Sequence, residues 1–391
     1  MVKLMEIDYI NGPRTDKIFG VSKYQMEIFR RIEGVGWNII EYDSLMQILE
    51  KKYNANSKSG SHSQTTGNRS IYEIKSLKFI EDMGKKTLKT LDKHRYIHTV
   101  KNEVKEGNIK HITSQELAYI LNSVKLENSI VTCYDLIPWA YDKNRSSIWK
   151  ENMKGLRLAD CIITISEFSK EEIMKYLDYP AERIKIVYPA ADHSVYYENR
   201  NKEILSKLNI SNDQKVVLYV GSEMPRQNVP VLIKAFAELK KKFPDIKLVK
   251  IGESQSYRER ENILKLIKDL HLHEDVIFAG YVPEEDMPKW YNAADILVYP
   301  CAYAGFGLPP LEAMACGTPV ITSNTTSLPE VVGDAGIMID PQDVDLMADK
   351  MYEVFTNNSL KEELVKKGLE QSKRFNWEDS AKKTLEIYEE I

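Results

Sequence analysis

Tyr299 to Ser323 reads Y-P-C-A-Y-A-G-F-G-L-P-P-L-E-A-M-A-C-G-T-P-V-I-T-S. The stretch follows Asp295-Ile-Leu-Val-Tyr299, which is apolar enough for a buried strand. A loop with Gly305 and Gly307 comes next. Pro309 and Pro310 then open a short helix, with Glu312 expected in its first turn. Gly317 and Pro319 stop the helix, and Val320-Ile-Thr-Ser323 begins another strand. Strand, glycine loop and helix in that order form an anion seat, because unpaired N–H groups and the positive helix end converge on one spot. Glycine suits a loop whose backbone must approach a ligand closely or take φ > 0.

Working outward, short apolar runs alternate with amphipathic helices in both halves, the pattern of parallel α/β sheets. In the first half strands are expected at Val2–Ile10, Asn38–Tyr42, Ile109–Thr113, Ile130–Tyr134, Cys161–Ser166 and Ile184–Tyr188. Gly20–Ile32 reads as a helix with Val21, Tyr24, Ile28 and Ile32 on one face. Ser166 and Ser169 are candidate helix caps. Lys51–Ser70 is polar and rich in Gly, Ser and Asn, so it reads as a mobile loop. In the second half strands are expected at Val216–Val220, Leu248–Ile251, Val276–Ala279, Ile296–Tyr299, Val320–Thr322 and Ile337–Ile339. Tyr197–Asp213 reads as a linker, and Phe375–Ile391 closes the chain with an amphipathic helix.

The 391 residues suffice for two domains, and 43% apolar residues suffice for two cores. A net charge of −4 argues against a nucleic-acid binder driven by bulk charge. Glu6 and Asp8 interrupt any secretory signal in the first ten residues, and no apolar run reaches membrane-span length. Cys133, Cys161, Cys301 and Cys316 form no C-x-x-C pair and read as buried reduced thiols, which fits the cytoplasm. No metal site is expected: His271 and His273 form an H-x-H without a third ligand near in sequence, and read as a solvated turn. Gly84 to His111 carries eight Lys/Arg against three Asp/Glu, a solvated face or a weak peripheral contact with anionic lipid.

The stretch around Gly305 resembles the donor-site signature of the retaining GT-B glycosyltransferases of family four, E-G-F-G-L-P-x-x-E-A-M-A-x-G-x-P-V. Gly305, Phe306, Gly307, Leu308, Pro309, Glu312, Ala313, Gly317 and Pro319 match it, and Ala304 stands where that family has its first glutamate. The resemblance implies two Rossmann-like doubly wound domains facing across a cleft. Residues 1–200 would form the acceptor side, 201–374 the nucleotide-sugar side, and 375–391 a helix crossing back to the first domain.

The same resemblance assigns candidate roles. Glu312 would accept from the ribose hydroxyls, although a helix dipole alone also favours an acid in a first turn. Gly305, Phe306, Gly307 and Leu308 would form the donor loop. Arg226 could fork two phosphate oxygens, and Gln227 replaces the family's diphosphate-binding lysine. Gly280, Tyr281 and Val282 form the turn that meets the nucleobase in the family, or an ordinary loop; Ser254 is a weaker donor contact. Gly20 closes a loop similar to the family's glycine loop near the diphosphate, with Phe19 replacing its first glycine. Tyr134 and Asp135 begin a segment similar to H-D-L-I-P, with Tyr134 in the place of the histidine near the transferred sugar.

The activity implied is transfer of a sugar from a nucleoside diphosphate sugar to a hydroxyl acceptor, with retention and without metal or other cofactor. The nucleobase is left open between UDP and GDP. The departures at Ala304, Tyr134 and Gln227 imply slowed or altered transfer. Two alternatives stand beside this activity: a nucleotide-sugar-binding protein without transfer, and a GT-B sugar epimerase.

Overall fold

Each expected apolar run pairs with parallel neighbours in a computed structural model that describes residues 5–13, 20–48 and 84–391. The Lys51–Ser70 segment and Phe19 lie outside the described residues. The first sheet contains β1 (Met5–Pro13), β2 (Val35–Tyr42), β3 (Ile109–Ile112), β4 (Ser129–Cys133), β5 (Cys161–Thr164) and β6 (Ile184–Ile186), in spatial order β2-β1-β3-β4-β5-β6. The second contains β7 (Lys215–Val220), β8 (Ile246–Ile251), β9 (Val276–Gly280), β10 (Ile296–Tyr299), β11 (Val320–Ser323) and β12 (Ile337–Ile339), in order β12-β11-β10-β7-β8-β9. All ten strand pairings among the described residues are parallel. Helices cover both faces of such sheets, which is why β4, β5, β10 and β11 are buried along their whole length.

The helices around the sheets include α1 (Gly20–Arg31), α2 (Gly84–Glu103), α3 (Glu167–Leu177), α4 (Leu308–Ala315) and α5 (Trp377–Glu390). α1 buries Tyr24 and Ile28, with Ile32 just past its end, whereas Val21 is 43% exposed near its N-terminal end instead of joining that face. α2 turns Leu88, Asp92, Tyr96 and Val100 inward, one residue per turn. Ser166 caps α3 by accepting from Ser169 N at 3.0 Å.

α5 belongs to the end of the chain yet lies on the first lobe. Trp377 packs edge-on against Tyr24 of α1, with ring centroids 5.8 Å apart. Tyr388 Oη lies 2.6 Å from His111 Nδ1. His111 is wholly buried between Tyr388 and Thr132, and burial holds its pKa down to about 3, so it is neutral at physiological pH. These contacts seat the last helix of the chain on the first lobe.

Candidate active site

In an open α/β sheet the ligand crevice opens where strand order reverses, beyond the strands' carboxyl ends. In the second sheet that point lies between β7 and β10. The loops leaving these two strands, 221–228 and 300–307, meet there. Ala302 N donates to Arg226 O at 2.7 Å, and Arg226 Nη1 donates to Tyr303 O at 3.4 Å. The Thr325–Ser327 turn holds the second loop from behind. Thr326 Oγ1 accepts from Ala304 N, while Ser327 Oγ donates to the carbonyls of Ala304 (2.9 Å) and Phe306 (2.6 Å).

Gly305 and Gly307 are glycines for identifiable reasons. A Cβ on Gly305 would come within 2.9 Å of Asp135 Cβ on the opposite lobe. Gly307 has φ +129 and caps α4, and a Cβ there would lie 2.8 Å from Leu328. α4 therefore starts at Leu308, one residue before the first proline. Two corrections follow. Glu312 is not in the first turn but at the fifth helical position, so the dipole does not account for it. Pro309 and Pro310 also remove two N–H groups from the expected anion seat, leaving the Gly307 and Leu308 amides to donate.

A cavity of about 340 Å³ lies between the lobes, bounded by Gly20 and Lys23 of α1, the turns after β7, β8 and β9, and Leu308 and Glu312 of α4. The turns are laced together: Gly221 N donates to Ile251 O and Gly252 N to Gly280 O. Of the residues expected at a donor site, Gly20, Tyr281, Val282, Leu308, Glu312 and Ser254 line this cavity. Tyr281 is 41% exposed at the rim of this cavity. Gly280, beside it, has φ +70.

The remaining expected residues gather next to the cavity, not in it. Gly305 O accepts from Ser166 Oγ at 2.7 Å, which closes the loop onto the first lobe. Asp135 accepts from Ile137 N at 3.0 Å as a turn residue, and its other oxygen lies against Gly305; burial raises its carboxyl above the usual range. Tyr134 donates to Thr113 O and packs edge-on against Tyr24. Gln227 is buried, with Oε1 3.2 Å from Tyr219 Oη. Phe306 packs on Tyr188 and Phe375. Ala304 is buried in the loop between Thr326 and Ser327.

Lys23 and Glu284 were not picked out from the sequence. Lys23 Nζ lies 2.6 Å from Glu312 Oε1 and also pairs with Glu284. Tyr291 Oη donates to the other oxygen of Glu312 at 2.8 Å, and Tyr196 Oη donates to Glu284 at 2.5 Å. Burial lifts the Glu312 carboxyl above its ordinary value, and Lys23 opposes this only in part. For Lys23, burial acts to lower the pKa, but Glu312 and Glu284 outweigh it and hold the ammonium above its ordinary value. The seat is thus a buried carboxylate held by one cation and one hydroxyl at the edge of a largely apolar cavity. Such a carboxylate can exchange those partners for ligand hydroxyls. Lys23 lies in the segment Gly20-Val-Ser-Lys-Tyr24, but nothing local in sequence joins it to a glutamate 289 residues away.

Two lobes of this kind, with a seat at the switch point of the second sheet, define a GT-B protein. The family model described as Glycosyl transferases group 1 matches residues 200–371. O-antigen chain mannosyltransferase B of Escherichia coli is 36% identical over 278 residues, which cover 68% of this chain and 71% of that protein. Serotype-specific mannosyltransferase WbdA of Escherichia coli is 30% identical over 273 residues, covering 66% of this chain but only 33% of WbdA. The chain belongs to the group 1 glycosyl transferases. Among solved structures, sucrose-phosphate synthase from Thermosynechococcus elongatus aligns with a TM-score of 0.75 at 20% identity, over 99% of this chain and 98% of that one. Anabaena HepE in complex with UDP and glucose aligns with a TM-score of 0.74 at 16% identity, over 99% and 100%. At these identities the likeness is one of fold.

Proposed function

We propose that the chain moves a hexosyl group, mannosyl by similarity to the mannosyltransferases above, from a nucleoside diphosphate sugar to a saccharide hydroxyl, with retention at the anomeric carbon. The observation that carries this reading is the buried Glu312 carboxylate aimed into the cavity at the switch point of the second sheet. Glu312 accepts from the ribose hydroxyls once Lys23 yields. The base lies against Tyr281 and Val282, beside Gly280. The Gly221 turn, the Gly20 end of α1 and the Gly307 and Leu308 amides meet the diphosphate, and Arg226 adds a cation at the adjoining loop. Donors fixed where charge develops on the leaving diphosphate lower the barrier without a metal. The exposed basic face of α2 gives weak contact with anionic lipid; among the described residues no helix is long and apolar enough to cross a membrane.

A second reading, nucleotide-sugar binding without transfer, is favoured by two observations. The methyl group of Ala304 can neither hydrogen-bond nor carry charge, and the Gln227 side chain is engaged by Tyr219. Incubation with UDP-, GDP- and ADP-sugars, with and without saccharide acceptors, followed by product analysis, separates the readings. Transfer with an α-linked product from an α-linked donor supports the first. Nucleotide binding without any product supports the second, and a changed sugar without acceptor points to an epimerase.

A further inference from the structure

A second cavity, of about 540 Å³, opens on the other side of the Gly305 loop, where α3 meets that loop. Four aromatic rings line it. Tyr141 and Tyr303 have ring centroids 5.2 Å apart, Phe168 meets Tyr303 edge-on at 5.4 Å, and Tyr176 joins them, while Lys143, Glu171 and Lys175 add charge to the lining. The Tyr141 side is solvent-facing, at 36% exposure. Glu172 of α3 also lines the cavity and is only 6% exposed. Its Oε1 accepts from the Tyr303 hydroxyl. Its Oε2 is buried and has no hydrogen-bond partner among the described residues. A buried carboxylate oxygen without a donor is costly, and the cost is removed when a ligand brings a hydroxyl.

We propose that this pocket is a saccharide subsite, in which a pyranose ring stacks its C–H face on Tyr141 and Tyr303 and donates a hydroxyl to Glu172 Oε2. Aromatic rings beside a few polar and charged groups, Glu172, Glu171, Lys143 and Lys175, suit a ligand that is apolar on one face and hydroxyl-bearing at its edge. The pocket straddles both lobes. Tyr303 directly precedes Ala304, and Asp135 lies on the same loop junction. A sugar held there belongs to the acceptor, because the nucleotide seat lies on the far side of the Gly305 loop. The inference rests on the transferase reading and deepens it, giving the acceptor a second anchoring ring besides the one that reacts.

The test is saturation-transfer NMR with methyl α-D-mannopyranoside on the full chain, alongside thermal shift with UDP- and GDP-sugars on the same samples. Tyr141→Ala removes an exposed ring without touching the core, and Glu172→Gln keeps the side-chain shape. Wild type is expected to show the mannoside signal. Both variants are expected to weaken it by about tenfold or more, with the nucleotide-sugar shift unchanged. Absence of signal in wild type, a signal in either variant as strong as in wild type, or loss of the nucleotide shift together with the mannoside signal would each overturn the subsite. If wild type takes the mannoside but no nucleotide sugar, the subsite stands and the transferase reading fails.

Discussion

Lys23 of the first lobe and Glu312 of the second form a buried ion pair, 2.6 Å between Nζ and Oε1, across the cleft that a donor must enter. Both side chains are 8% exposed, so solvent screens the pair little. Removing one partner leaves the other charge buried alone, which typically costs about 3–5 kcal/mol. Lys23→Met is therefore expected to lower the unfolding free energy of the ligand-free protein by about 3 kcal/mol. Chemical denaturation reads this directly. Unchanged stability would mean that the pair is not formed in solution.

The same carboxylate sets a pH dependence. Burial places the folded Glu312 pKa above its ordinary value of 4.5. Ribose hydroxyls need the ionised form as acceptor, and that form is lost as pH falls through the raised value. Nucleotide affinity is thus expected to weaken on acidification, starting above the usual carboxylate range. The folding sign is the reverse: a raised carboxyl pKa favours the folded state in acid, so the lost affinity is not unfolding. Calorimetric titration with nucleotide across that range, beside melting curves, checks both signs. A flat affinity profile would remove Glu312 from the contact.

Ala304 marks the largest chemical departure from the signature the loop otherwise carries. Ala304→Glu is expected to raise transfer, because a carboxylate at that point supplies charge and hydrogen bonding that a methyl lacks. Donor hydrolysis and transfer are to be compared before and after the change; absence of any gain would show that Ala304 does not limit the rate.

Gly305→Ala tests the closure of the lobes. The added Cβ meets Asp135 Cβ at 2.9 Å and Tyr134 O at 3.3 Å, neither of which is the far end of a flexible chain. Overpacking of this kind costs about 1–3 kcal/mol. The lobes are expected to sit further apart, with a larger radius of gyration by X-ray scattering and weaker transfer. A scattering profile identical to wild type would contradict the closed contact.

The sheets were legible because parallel strands buried on both faces read as plain apolar runs, as in Val216–Leu218 and Ile130–Val131. β3 was harder: Lys110 and His111 are buried polar residues whose partners, Asn108 O and Tyr388, come from the strand's own entry loop and from the far end of the chain. Glu312 was legible through its motif, although its place in the helix was not, because the Gly307 cap starts α4 before the prolines. Lys23–Glu312 and Glu172–Tyr303 were out of reach, since each pair joins two lobes across 289 and 131 residues. Local periodicity carries no trace of such contacts.

Isothermal titration calorimetry of UDP- and GDP-sugars against wild type and Glu312→Ala is the most direct measurement of the nucleotide seat. Hydrogen bonds to a charged group contribute about 1.5–3 kcal/mol, so the variant is expected to bind about 10- to 100-fold more weakly. Binding of equal strength in both proteins, or none in wild type, would contradict the account.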